Sequence, residues 1–117
     1  MNLKECYAVM NSDYDEVMAR LPREASVIKF LRKFAIDTEF SKMLEAFEQK
    51  NYEVVFSTTH NLKGVCGNLS LKPLAKACSE ICEEVRHGAP KEDITPMVEA
   101  ARQQHACVIA AIAELED

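Results

Sequence analysis

Glycine is scarce in this chain, with three among 117 residues, and proline is little more frequent at four. So few glycines exclude both the many tight turns of an all-β fold and a glycine-rich loop cradling a nucleotide's phosphates. They favour long helices with few breaks. No apolar run reaches the roughly 18 residues needed to span a bilayer, and the start Met1-Asn2-Leu3-Lys4-Glu5 lacks the basic-then-apolar order of a secretory signal. A cytoplasmic protein is therefore expected, with no membrane partner. An excess of basic residues is also missing. Fourteen Lys and Arg stand against 19 Asp and Glu, for a net charge of −5, which argues against nucleic acid as a partner. The length predicts a single domain over 1–117. Five cysteines (Cys6, Cys66, Cys78, Cys82, Cys107), odd in number and mostly among apolar neighbours, read as reduced core residues rather than a disulfide framework.

What is present is helical periodicity throughout. Ser12 followed by Asp15 resembles a capping box and predicts a helix through Val17, Met18 and Leu21, halted by Pro22. Val27, Ile28, Leu31, Phe34 and Ala35 then form one stripe over 23–36. Asp37 and Thr38 predict a break and a cap for a helix over 38–50 carrying Phe40, Met43, Leu44 and Phe47. A longer helix over 52–69 follows. Pro73 opens the next, which carries Leu74, Cys78, Ile81 and Val85 and ends at the His87-Gly88 pair. The last covers 91–115, with Pro96 near its first turn. Short connections between amphipathic helices predict an all-α, up-down-up-down four-helix bundle with one or two short additional N-terminal helices. Each helix has one apolar stripe, so the core closes within one copy and a monomer is expected.

The stretch from Thr58 to Leu71 carries the chemistry. At about 100° per residue, Val55, Leu62, Val65, Cys66 and Leu69 fall within about 60° of Leu62 and predict the face toward the core. His60, Gly64 and Gly67 lie about 140–200° away from that stripe, so His60 is expected to point outward. Each interior glycine costs a helix about 0.5–1 kcal/mol relative to alanine, and these two sit at i+4 and i+7 from His60. Their missing side chains leave the imidazole uncovered and let a partner approach the backbone. Lys63, at i+3, is placed to reach an anion bonded to that imidazole. Phe56, at i−4, adds an exposed aromatic.

The run His60-x-x-Lys63-Gly64-x-x-Gly67-Asn68-Leu69-x-Leu71 resembles the signature of histidine-containing phosphotransfer (HPt) domains, the intermediate carriers of two-component phosphorelays. The resemblance implies that His60 accepts a phosphoryl group from a receiver-domain aspartate and passes it to another receiver. Lys63 then offsets the developing charge, and Phe56, Gly64, Gly67 and Asn68 form the face on which receivers dock. It implies response-regulator receivers and a hybrid sensor histidine kinase as partners. No cofactor or metal is expected on this chain, and Mg²⁺ is expected on the receiver. Nothing resembles the nucleotide-binding machinery of a kinase, so a phosphocarrier rather than an enzyme is expected. Ser70 stands where a third glycine is frequent, and Ser79, Cys82 and Glu83 are the candidates for bonding the imidazole from the following helix.

A helical adaptor that docks receivers without transfer is the alternative, and the joint presence of His60, Lys63, Gly64 and Gly67 favours the carrier. Cys78 and Cys82 share a face with Leu74, Ile81 and Val85 and read as core rather than as metal ligands. His87 suits a helix C-terminus, and His105, without Lys or Gly neighbours, suits a structural role. Glu83-Glu84 reads as a solvated face and 114–117 as a frayed end. The initiating Met1 and the lack of a linker lead to the expectation of free-standing action.

Overall fold

The helical stripes fold as seven helices in the computed structural model, which describes residues 1–116: α1 (Leu3–Val9), α2 (Tyr14–Arg20), α3 (Glu24–Ala35), α4 (Glu39–Glu48), α5 (Tyr52–Asn68), α6 (Lys72–Glu84) and α7 (Thr95–Ala113). No strand occurs among the described residues. The bundle is α4 to α7, with α5 packed between α4 and α6, and α7 closing on α6. Three-residue turns join α4 to α5 and α5 to α6, which makes each pair antiparallel. Leu31, Met43, Val55, Leu74, Ile81 and Ala101 are completely buried along the axis.

Three helices precede this bundle, one or two more than the sequence led us to expect. The additional one is α1, and its signal is Asn2-x-x-Glu5. Asn2 Oδ1 accepts from the Glu5 backbone N–H at 2.8 Å, and Glu5 Oε1 accepts from that of Asn2 at 2.9 Å, a complete capping box. At α2 the cap is Asp13, whose carboxylate accepts from Glu16 N–H at 2.9 Å, and not Ser12. The Ser12 hydroxyl donates to Met10 O instead. The last helix starts at Thr95 rather than 91, because a proline ring at 96 clashes with the carbonyl four residues earlier in any continuous helix. Asp93 accepts from both the N–H and the hydroxyl of Thr95 to set that start. Helix α6 ends at Glu84, three residues before His87, and Gly88 turns the chain at φ 106°.

Four cysteines are buried in the core, where lack of water pushes the Cys78 thiol up to about 12 and that of Cys66 still higher. Cys107 departs from the expectation and is exposed on the outer side of α7. The C-terminal end is held rather than frayed as far as 116: Leu115 is buried, and Glu116 N–H donates to Met1 O at 3.0 Å. Asp117 lies outside the described residues.

His105 is structural. Its ring stacks on Phe40 with centroids 4.1 Å apart and planes 3° apart, and it meets the edge of Phe34 at 6.0 Å. Burial holds its pKa below the ordinary imidazole value. The folded chain then binds fewer protons than the unfolded one, so this contribution is full above about pH 6.5 and is lost as pH falls from there toward the folded value. The melting temperature should therefore drop on acidification from about pH 7 to 5. His105→Phe should flatten that drop, and an equally steep profile in the variant would assign the acid sensitivity elsewhere.

Candidate functional site

Helix α5 buries Val55, Thr58, Thr59, Leu62 and Cys66. The threonines enter the core because their hydroxyls donate to the carbonyls of Val54 and Val55, each at 2.7 Å, so no donor is left unmade. Val65, expected on this stripe, is 44% exposed. Packing by α4 on one side and α6 on the other centres the buried arc on Val55, Leu62 and Cys66 and leaves Val65 at its margin. There it lines a cleft of about 560 Å³ with Asn61 and Asn68 of its own helix and Phe30 and Phe34 of α3.

On the far face, His60 is exposed, and its ring makes no hydrogen bond to any described residue. Gly64 and Gly67 are exposed beside it, and a Cβ built on either meets no atom within 4 Å. The fold therefore demands neither glycine. Lys63 is half-buried, forms no ion pair among the described residues, and its charge joins the Arg86 guanidinium in holding the Glu83 carboxyl below the usual range. Phe56 is half-buried rather than exposed, because its ring packs against the core. Asn68 is exposed, on the flank facing the cleft.

The end of α5 is tied off without glycine. Leu71 N–H donates to Cys66 O at 2.9 Å and Ser70 N–H to Gly67 O at 3.1 Å, a Schellman closure with Ser70 in the left-handed region at φ 56°. That conformation explains why a glycine suits this position, and the Ser70 hydroxyl compensates by donating to Glu16 at 2.9 Å. Arg20 reaches across from α2 to the carbonyls of Asn68 at 2.6 Å and Gly67 at 3.3 Å, a cation on the negative end of the helix. Glu16 is held below the usual carboxylate range by Lys72 and Ser70, and Tyr7 donates to Leu69 O at 2.7 Å in the core.

The family model of the Hpt domain matches residues 35–117, well over half the chain. This chain belongs to the Hpt domain family. No curated protein and no solved structure matches it. As an Hpt domain it is a histidine phosphotransfer module of phosphorelays, a carrier rather than a kinase. No described helix is long and apolar enough to cross a membrane. The matched span of the Hpt domain begins at the end of α3, so Tyr7, Glu16 and Arg20 act on the α5 terminus from outside it.

Of the residues predicted for the site, the Hpt domain brings His60, Gly64 and Gly67 together on one exposed face, with Lys63 and Phe56 at its edge and Asn68 on the opposite flank. Arg20, in α2, and Arg86, in the turn after α6, also bear on this region, and no local pattern in the sequence marks them. Of the three groups considered for bonding the imidazole, Cys82 is buried and Glu83 pairs with Arg86, and none of them, Ser79 included, bonds it. No three His, Cys, Asp or Glu side chains gather to hold a metal among the described residues.

Proposed function

We propose that His60 of this Hpt domain accepts a phosphoryl group from the aspartyl phosphate of one receiver domain and passes it to the aspartate of another. What supports the reading is an exposed imidazole, without a hydrogen bond among the described residues, beside two glycines that the packing does not require. A neutral imidazole nitrogen offers a lone pair near pH 7 without a separate base. Its nitrogen bonds to phosphorus as the acyl oxygen–phosphorus bond breaks, and the bonding pair departs on the receiver's carboxylate. Return of the group to a second receiver reverses these changes. In this reading Mg²⁺ comes with the receiver. Lys63, three residues on along α5 and without an ion pair among the described residues, stabilises the charge on the transferring group. Gly64 and Gly67 admit the receiver, with Phe56 and Asn68 bordering the contact.

The whole chain acts as one unit in this proposal, as a cytoplasmic monomer served by a hybrid kinase and receivers. Incubation with a phosphorylated receiver and Mg²⁺ should yield an acid-labile, base-stable phosphate on this protein. Complexes that form without label would favour the adaptor reading. Lys63→Ala should slow transfer by about tenfold, on the scale of one lost charge-assisted contact, with less effect on receiver affinity. Equal transfer rates would remove Lys63 from the mechanism.

A further inference from the structure

The His60 ring has no hydrogen bond among the described residues, yet it is not without a partner. It stacks with an offset against Phe56, one turn earlier on α5, with centroids 6.0 Å apart and planes inclined by 24°. Phe56 is itself half-buried against the core, and the Arg86 guanidinium carbon stands 5.9 Å from its ring centroid. Arg86 is fixed in turn by Glu83, through Nε to Oε2 at 3.2 Å and Nη2 to Oε1. A continuous train thus runs from the exit of α6 to the exposed imidazole.

We infer that Phe56 and Arg86 are positioning residues for His60: Phe56 fixes the plane of the imidazole by stacking, and Arg86 fixes Phe56. The inference rests on His60 being the phosphoacceptor and gives Phe56 a role distinct from receiver docking. An exposed histidine on a helix turns freely about both side-chain bonds, so the fraction of time its nitrogen points at an incoming phosphorus is small. A hydrogen bond from α6 would restrict the ring but would engage one of its two nitrogens. Stacking restricts the ring through its face and leaves both nitrogens, which lie in the ring plane, open to solvent and to a partner. The pair geometry falls within the 4.5–7 Å range favoured by aromatic rings, and the guanidinium lies at the approximate 6 Å reach of cation–π attraction. Neither residue touches the reacting atoms.

The test uses the full chain and Phe56→Leu, Phe56→Tyr and Arg86→Gln variants. Two readouts are taken: the His60 ring C–H resonances by NMR, and the rate of transfer from a phosphorylated receiver as a function of receiver concentration. Phe56→Leu should shift the ring resonances as the neighbouring ring current is lost. It should lower the saturating rate about two- to tenfold, with a smaller change in the half-saturating receiver concentration. Phe56→Tyr should restore both readouts, and Arg86→Gln should shift both in the same direction by a smaller amount. Unmoved resonances in Phe56→Leu overturn the inference, as does a parental saturating rate. A loss confined to the half-saturating concentration also overturns it and assigns Phe56 to docking. Labelling of the parent with phosphoramidate, a small phosphodonor, separates the two levels. An unlabelled parent removes the phosphoacceptor reading itself, whereas a labelled parent with unaffected variants removes only the positioning role.

Discussion

A His60→Gln protein should fold as the parent does and take up no phosphoryl group. The side chain is exposed and makes no hydrogen bond among the described residues, so its replacement falls in the class of surface changes worth about 0.5 kcal/mol or less. For a domain of this size that is a shift of about 2–4 °C in melting temperature. The chemical effect has no such limit, because the amide of glutamine has no lone pair able to attack phosphorus. Thermal melts by circular dichroism and acid-labile labelling measured on the same sample decide the matter. A cooperative melt lowered by tens of degrees would make His60 a structural residue. Residual label at the parental level would transfer the role to another histidine. Between the other two, His87 is exposed whereas His105 is held in its stack on Phe40.

Gly64→Leu should move stability and transfer in opposite directions. A Cβ at this position meets nothing within 4 Å, and leucine in a helix is favoured over glycine by nearly 1 kcal/mol, so the melting temperature should rise by a few degrees. Transfer from a receiver should fall by a hundredfold or more. The added side chain stands one turn from His60 on the same face, and in-line attack needs the reacting atoms about 3–3.5 Å apart, where a 1 Å misplacement already costs on the order of 10²-fold. Phosphoramidate, which needs no close approach of two proteins, should label the variant far more nearly at the parental rate. Parental transfer from the receiver would show that the partner does not approach over Gly64.

The helices are legible because each has a single apolar stripe, and the candidate site because its two glycines stand where a helix prefers alanine. Periodicity was weakest where burial depends on which neighbours flank a helix. Val65 fits the stripe of α5 by angle, yet no helix covers it. Thr58 and Thr59 are buried because they bond their own helix, which an apolar pattern does not register. Helix ends differ from the expectation where two signals compete, as between Ser12 and Asp13, or between a start at 91 and the ring of Pro96. The sequence offers polar groups of the next helix as partners for the His60 ring. The partner is an aromatic ring four residues earlier on the same helix, and Phe56 is visible there as an outward residue without any sign of what it touches.

Ser70, Asn68 and Gly67 are gripped by Arg20, Leu69 by Tyr7, and the Ser70 carbonyl accepts from Asp13 N–H at 3.2 Å. The boundary drawn by family likeness therefore does not coincide with the boundary of the physical unit. Trimming the chain to 35–117 would keep every residue of the phosphotransfer signature while stripping the exit of its helix of its contacts to Tyr7, Asp13, Glu16 and Arg20. Grafting this module into another protein, or exchanging it with a relative, calls for the first 34 residues to travel with it.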